Sequence, residues 1–239
     1  MLTHDAVTNS GGRHEARLKI RRRAARKGRP FSYLKDPMTN NIGAAMAGGK
    51  SKKDKPVNPD EFFPTAEGTT RALVPVLREI GWPNSVWENA CGAGHITKQL
   101  LNAGFAVTST NLTDRGYSKY SLTGVDFLKT TEALAPSIIT NPPFSLSDEF
   151  LVHALVILGI EHVAMLLPNG IWHAKGRVTL FHTHKPSLIL PLTWRLDVTG
   201  GGAPTMNCCW YVWTTLLPPI EGYYPLVSDE KHPGRYDAA

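Results

Sequence analysis

Predicted strands and helices alternate along the chain from residue 60 onward, and this alternation limits the possible fold more than any other feature. Runs of apolar, β-prone residues predict strands, and apolar residues at helical spacing predict helices. The predicted helices cover 65–80, 94–103 and 150–158. The predicted strands cover 85–90, 105–112, 137–140, 162–167, 188–194 and 208–214. Such alternation predicts an α/β fold, in which helices cover both faces of a mostly parallel sheet.

The ends of the predicted strands are the places where we expect functional residues. In open parallel sheets, ligands bind beyond the carboxyl ends of the strands, at the point where the strand order reverses. This rule directs attention to the loops after Ala90, Leu112, Thr140 and Leu167. Two of them, the loops after Ala90 and Thr140, have unusual compositions.

The first 58 residues differ from the rest of the chain in charge. Residues 1–59 contain 14 Lys and Arg against 4 Asp and Glu, whereas residues 60–239 contain 12 against 16. Because no apolar face repeats within the tail, we expect residues 1–58 to be disordered in isolation and residues 59–239 to form one folded domain. The basic tail would serve either as an arm that binds the phosphates of a nucleic acid or as a solvated segment that aids solubility.

The cysteines and the hydropathy of the chain indicate its environment. The three cysteines, Cys91, Cys208 and Cys209, form neither a CxxC pair nor a disulfide framework, which favours a reducing, intracellular setting. The longest apolar run, 151–160, is about half a membrane span, and the N-terminus lacks the apolar core of a signal peptide. We therefore expect a cytoplasmic protein without a membrane partner. His182 and His184 have no third ligand nearby, so no metal site is predicted.

The loop after the first predicted strand is rich in glycine, and residues 87–95 read WENACGAGH. Glycines let the backbone approach a ligand closely, and the following helix offers free N–H groups and positive potential. Only Gly92 and Gly94 precede the helix, unlike the dinucleotide fingerprint, which has three glycines. Glu88 stands where a carboxylate can reach the ammonium of an amino-acid-like ligand. The alternative is an ordinary turn between a strand and a helix.

The loop after the predicted strand 137–140 begins with Asn141, Pro142, Pro143 and Phe144. The prolines hold the backbone extended and donate no N–H, so the rim would present the Asn141 amide oxygen and the Pro142 carbonyl as acceptors, with Phe144 as a stacking surface. Two acceptors on an exocyclic base amine would localise its lone pair for attack on a sulfonium methyl, without a strong general base. The base would first have to leave its duplex stack. The alternative is an ordinary turn.

These two loops resemble the cofactor motif and the catalytic motif of class I amino-methyltransferases, the N6-adenine DNA methyltransferases in particular. The stretches 111–117, 124–128 and 210–213 resemble more specifically the small phage- and prophage-encoded members. The resemblance implies a Rossmann-like, mostly parallel seven-stranded sheet whose last strand is antiparallel. It also implies that residues 59–239 are the catalytic domain, that S-adenosylmethionine is the cofactor and that DNA is the substrate.

Carried over one position at a time, the resemblance implies a role for each matching residue. Six residues would line the methionine part of the cofactor: Phe63, Pro64, Thr65, Glu88, Gly92 and Gly94. Ala90 would also bind the cofactor. Asp126 would accept a hydrogen bond from the cofactor adenine amine, and Phe127 would pack on the adenine ring. The four residues 141–144 would hold the target base, with Asn141 also beside the cofactor.

Two positions depart from the resembled pattern. The family usually has an acidic residue after the second strand for the ribose hydroxyls, and this chain has Asn111 there. Either Asn111 binds the ribose with an uncharged oxygen, or Asp114 takes this role. Asn89 stands where proline is common.

Other functions remain open at the level of the sequence. Asn-Pro-Pro-aromatic loops also serve guanine amines and glutamine amides, so an RNA or protein-glutamine methyltransferase is an alternative. Another is a basic nucleic-acid-binding protein whose methyltransferase core is vestigial, an idea that Asn111 keeps open. The loop Gly200-Gly201-Gly202 either helps to bind DNA or simply connects the last two strands.

Overall fold

The computed structural model of the protein describes residues 61–173, 177–197, 202 and 204–221. The basic tail 1–58 lies outside the described residues, so its predicted disorder and the domain boundary at residue 59 stay predictions. Gly200 and Gly201 also lie outside them.

Seven strands form one sheet in the order β3-β2-β1-β4-β5-β7-β6. The strands are β1 (Ser85–Glu88), β2 (Ala106–Asn111), β3 (Leu122–Thr123), β4 (Ser137–Thr140), β5 (His162–Pro168), β6 (Leu188–Pro191) and β7 (Cys208–Thr214). Strand β7 is antiparallel to its neighbours β5 and β6, and the pairs formed by β1 to β5 are parallel. The predicted seven-stranded sheet with an antiparallel last strand is therefore confirmed.

Among the described residues, four α-helices flank the sheet. They are α1 (Glu67–Glu79), α2 (His95–Asn102), α3 (Ser147–Val152) and α4 (Val178–Thr183). A π-helical turn (His153–Ile157) continues α3, so the predicted helix 150–158 begins earlier and changes its hydrogen-bond pattern midway. Helix α4 was not predicted as such, although His182 and His184 were interpreted as the polar end of a helix. That interpretation is confirmed, because His182 lies in the last turn of α4 and His184 caps it.

Strand β3 was missed by the sequence analysis because it has only two residues and both are exposed. It is defined by its parallel pairing with β2, in which Leu122 lies beside Thr110 and Thr123 beside Asn111. A two-residue strand has no periodicity, so no pattern could reveal it.

The core has two layers, one on each face of the sheet, because successive residues of a strand point to opposite faces. In β5, Ala164 and Leu166 pack into the layer under α1 and α2. Their neighbours Val163, Met165 and Leu167 pack into the layer that contains residues of α3 and α4. Helices on both faces, as predicted, thus bury the sheet on either side.

The strand order reverses between β1 and β4. From β1 the chain runs outward through β2 and β3, and it then returns to place β4 on the other side of β1. The connections therefore diverge at the carboxyl ends of β1 and β4 and leave a crevice there. Within the described part of the chain, every helix is too short or too polar to cross a membrane.

Candidate functional site

A cavity of about 250 Å³ lies at this crevice, and five separate stretches of the chain form its wall. Ten of the predicted site residues line it: Phe63, Thr65, Glu88, Ala90, Asn111, Asp126, Phe127, Asn141, Pro142 and Pro143. Four do not: Pro64, Gly92, Gly94 and Phe144. The fold thus brings together most of the residues that the strand-end rule and the family resemblance selected.

The Asn141 side chain is held in one orientation at the cavity wall. Its Nδ2 donates to the Phe63 carbonyl at 3.2 Å and to the Thr65 hydroxyl at 3.0 Å. Because a carbonyl can only accept, these contacts identify which end of the amide is nitrogen. The other end, Oδ1, is buried and has no hydrogen-bond partner among the described residues. Asn141 therefore carries one unfilled acceptor.

Residues 61–65, which we call the strap, bind along the loop after β4. Besides the two contacts with Asn141, the Ser145 N–H donates to the Glu61 carboxylate at 2.9 Å. The Phe63 ring stacks on Phe144, with ring centroids 4.9 Å apart and planes 29° apart. These contacts hold the start of the loop, at Asn141, and its end, at Ser145, to the same strap.

Phe144 occupies a different place from the one expected of a stacking surface for a base. Its side chain is fully buried, and it packs with Phe63 and the core layer beneath α1 and α2. Phe63, by contrast, is partly exposed and lines the cavity. Phe63, backed by Phe144, is therefore the aromatic residue that lies at the cavity wall in place of Phe144.

Gly92 and Gly94 shape the loop after β1 without lining the cavity. Both have left-handed backbone conformations, with φ of +52° and +75°. A Cβ at Gly92 would collide with the Phe62 ring, and a Cβ at Gly94 would lie 2.6 Å from the Tyr117 ring. The two glycines thus allow aromatic rings from the strap and from the segment after β2 to close over this loop.

Glu88, at the end of β1, is a buried acid. Its side chain is 1% exposed and accepts a hydrogen bond from the Thr97 hydroxyl, which in turn lies 2.6 Å from the Ser109 hydroxyl. Burial raises the pKa of Glu88 to about 8, although the bond from Thr97 opposes this shift. The carboxyl is therefore largely protonated at neutral pH, and a cationic ligand group beside it would favour its ionised form.

Asn111 lines the cavity, but both ends of its amide already have partners. Oδ1 accepts from the Gly92 N–H at 3.3 Å, and Nδ2 donates to the Thr113 carbonyl. Asp114 does not line the cavity, and its carboxylate accepts from the Gly116 N–H at 2.8 Å. Of the two candidates for a ribose contact, Asn111 is therefore the one at the cavity, where its oxygen retains a second lone pair.

Asp126 and Phe127 form another part of the cavity wall. The Asp126 carboxylate caps the short 3₁₀ turn Phe127–Lys129 by accepting from the Leu128 N–H at 3.1 Å, and it pairs with Lys129 at 2.9 Å. Phe127 is 2% exposed, and its ring is fixed edge-on against Trp87, with centroids 5.2 Å apart. Both side chains are therefore set in place by the protein itself.

Sequence reasoning missed several residues of the wall. Glu61, Phe62 and Arg115 also line the cavity, and the Arg115 guanidinium lies 5.3 Å from the centre of the Phe62 ring. The aromatic pair Phe62-Phe63 before Pro64 was the one available signal for this group. Nothing in the local pattern marks Glu61 or Arg115, because their neighbours come from distant parts of the chain.

The described residues contain no group of three His, Cys, Asp or Glu side chains that could hold a metal ion. All three cysteines are free and buried. Burial, reinforced by nearby Glu88, raises the pKa of the Cys91 thiol to about 11, so this thiol is neutral at physiological pH. Cys91 therefore lacks the thiolate that a nucleophile requires.

Comparisons with known proteins agree with this architecture. No protein-family model matches the chain, and no curated protein matches its sequence. Among solved structures, a candidate RNA methyltransferase from Pyrococcus horikoshii is similar with a TM-score of 0.53 at 14% identity, over 72% of this chain and 96% of that one. The likeness establishes the fold of the described domain, which is that of the Rossmann-like methyltransferases.

Two further structures are similar at a looser level. A modification subunit of a type I restriction enzyme candidate from Vibrio vulnificus has a TM-score of 0.49 at 14% identity, over 67% of this chain and 46% of that one. A class I S-adenosylmethionine-dependent methyltransferase candidate from Listeria monocytogenes has a TM-score of 0.48 at 13% identity, over 78% of this chain and 69% of that one. At these scores neither likeness defines function.

Proposed function

We propose that this protein transfers a methyl group from S-adenosylmethionine to the N6 amine of adenine in DNA. The observation that carries the proposal is the Asn141 amide. Its nitrogen is anchored by the strap, and its oxygen is buried at the cavity wall without a partner among the described residues. Such an oxygen is suited to accept a hydrogen from a planar exocyclic amine.

Two acceptors are available for the two hydrogens of such an amine. The Pro143 carbonyl accepts from the Leu146 N–H at 2.9 Å, whereas the Pro142 carbonyl accepts no hydrogen bond within the described residues. Asn141 Oδ1 and the Pro142 carbonyl would therefore take one hydrogen each. This favours a pyramidal nitrogen and localises the lone pair, which in the free base is delocalised into the ring.

The cavity residues also suit the proposed methyl donor. S-adenosylmethionine supplies a methyl group on a sulfonium sulfur, which keeps the electron pair of the broken C–S bond as the amine nitrogen forms the new C–N bond. Glu88 would bind its ammonium, since no cation among the described residues contributes to the environment of this buried carboxyl. Asp126 and Phe127 would hold its adenine, and Asn111 its ribose. The methylated nitrogen then releases one proton to solvent.

The proposed target base would be held by the loop after β4 and the strap. The Phe63 ring, supported by Phe144, offers a flat apolar face beside Asn141. A duplex base would have to be flipped out to reach it. DNA as the substrate rests on the family resemblance and on the basic tail, with residues 200–202 as a further candidate contact.

The reaction is tested by incubating the full chain with S-adenosylmethionine and unmethylated DNA, followed by nucleoside mass spectrometry of the digest. We expect N6-methyladenine, which the Asn141→Ala variant should not produce. Appearance of N4-methylcytosine would show that the target base is cytosine instead of adenine. Parallel incubations with RNA and with protein test the alternative substrates. Absence of every methylated product at saturating cofactor would refute the proposal.

A separate measurement tests the role of the tail. Removal of residues 1–58 should weaken DNA binding and make its salt dependence shallower, because fewer phosphates are neutralised. If affinity and salt dependence both stay the same, the tail is not a DNA-binding arm.

A further inference from the structure

Asn89 is a buried carboxamide without hydrogen bonds. It follows β1 directly, is 2% exposed and lines the cavity. Neither its Oδ1 nor its Nδ2 has a hydrogen-bond partner in the described part of the chain. Buried polar side chains are nearly always paired, because an unpaired group loses its hydrogen bonds to water and gains nothing in return. The polar side chain of Asn89 therefore does not stabilise the ligand-free protein through hydrogen bonds.

The other asparagines of the cavity wall differ from Asn89 in this respect. Asn141 donates twice to the strap, and both ends of Asn111 pair with loop backbone. Their amides tie segments of the protein together, which is a structural reason for an asparagine. The Asn89 amide makes no hydrogen bond to the described residues, so we look for its hydrogen-bond partner in a bound ligand.

We propose that Asn89 is a ligand-binding residue whose carboxamide pairs with the cofactor, Nδ2 donating to it and Oδ1 accepting from it. This inference rests on the proposed methyl-transfer function, and it adds a contact that no other residue of the wall supplies. Proline, which is common at this position in the resembled family, has no side-chain hydrogen bonds. The contact would therefore be particular to chains with an amide here.

S-adenosylmethionine carries a hydrogen-bond donor next to a hydrogen-bond acceptor at two places. The amino-acid end carries an ammonium and a carboxylate, and the adenine edge carries an amine next to a ring nitrogen. Asn89 lies in the loop after β1 next to Glu88, and Phe127 stands elsewhere on the same wall. A carboxamide matches either end of the cofactor, and the two ends can be distinguished with ligands that lack one of them.

A ligand-binding role and a structural role predict opposite effects on the free protein. Asn89→Leu replaces the amide with an apolar group of similar size, so the melting temperature without ligand should stay the same or rise. Affinity for S-adenosylhomocysteine, measured by calorimetry on the full chain, should fall about tenfold, the equivalent of about 1.4 kcal/mol. The Asn84→Ala variant is the matched control, since Asn84 precedes β1, is exposed and bonds to Arg78. Its affinity should not change.

The ligand 5′-methylthioadenosine, which lacks the amino-acid end, identifies the partner. If Asn89→Leu loses affinity for both ligands, the contact is with the adenine end; if only S-adenosylhomocysteine is affected, it is with the amino-acid end. Should the Leu variant fail to fold, Asn89→Ala gives the same comparison. Unchanged affinity in a folded variant overturns the inference alone, whereas absence of binding by the unmodified protein overturns the cofactor proposal as well.

Discussion

The loops after β1 and β4 form two sides of one cavity, but they are built in opposite ways. The loop after β4 is stiffened by two prolines, and its asparagine is tied to the strap, so a single side-chain acceptor remains unpaired at the cavity. The loop after β1 relies on glycines with positive φ. It also contains the unpaired amide of Asn89, and it follows Glu88, a buried acid whose pKa is raised to about 8.

This difference suggests a division of labour. Polar groups in the loop after β4 are oriented before any ligand arrives, which suits a step whose rate depends on geometry. Polar groups in the loop after β1 are costly to bury and would be compensated by a bound ligand, which suits affinity. If this interpretation is correct, changes in one loop should affect turnover and changes in the other should affect binding or stability.

The largest effect should come from Asn141→Ala. Removing a preoriented transition-state acceptor typically lowers turnover by about 10²–10³-fold. Cofactor affinity, measured by calorimetry, should stay close to that of the unmodified protein. Asn102→Ala, at the exposed end of α2, is the control and should leave both quantities unchanged. Turnover of Asn141→Ala within a few-fold of normal would contradict the role assigned to the loop after β4.

The next effect concerns Gly94, which can be compared with Gly81 because both have φ of +75°. Alanine at either position adopts a left-handed conformation at a cost of about 1–2 kcal/mol. Only at Gly94 does the new Cβ also meet the Tyr117 ring, whereas Gly81 has open space. Gly94→Ala should therefore be less stable than Gly81→Ala by about 1–3 kcal/mol in urea unfolding, and it alone should weaken cofactor binding. If both variants lose the same unfolding free energy, the packing of the Tyr117 ring against Gly94 is unimportant for stability.

Glu88, the buried acid just before the loop after β1, should make stability depend on pH. Between the ordinary pKa of 4.5 and about 8, the unfolded chain ionises Glu88 while the folded protein keeps it protonated, so stability falls as pH rises. Glu88→Gln stays neutral and should lack this component. From pH 6 to pH 7, the unmodified protein should lose about 1.4 kcal/mol more unfolding free energy than the variant. Every other ionisable group is common to both proteins, and parallel pH profiles would show that Glu88 is ionised in the fold.

The smallest effect should come from the strap. Thr65→Val keeps the size of the side chain and removes one of the two acceptors that hold Asn141 Nδ2. Loss of one such bond, about 1 kcal/mol, should lower turnover about fivefold. Thr65→Ser retains the hydroxyl and should restore turnover. If the serine variant is as slow as the valine variant, Thr65 acts through packing and not through Asn141.

Much of the site was predictable from the sequence by itself. Alternating strand and helix patterns, which reflect the periodicities of the two structures, predicted the parallel sheet and the layers on its faces. The strand-end rule then selected the loop that begins just after Glu88 and the loop that contains Asn141, and both residues line the cavity. The backbone limits of proline and glycine, which are local properties, indicated a stiff rim after β4 and a tight turn after β1.

The rest was decided by the tertiary structure, because it depends on neighbours that no local pattern encodes. Asn141 is oriented by Phe63 and Thr65, more than seventy positions earlier in the chain. Phe144 is buried because Phe63 stacks on it. Hydrogen-bond satisfaction and desolvation are likewise properties of the assembled interior, so only the folded chain reveals that the amide of Asn89 has no partner within the described residues and that the pKa of Glu88 is raised.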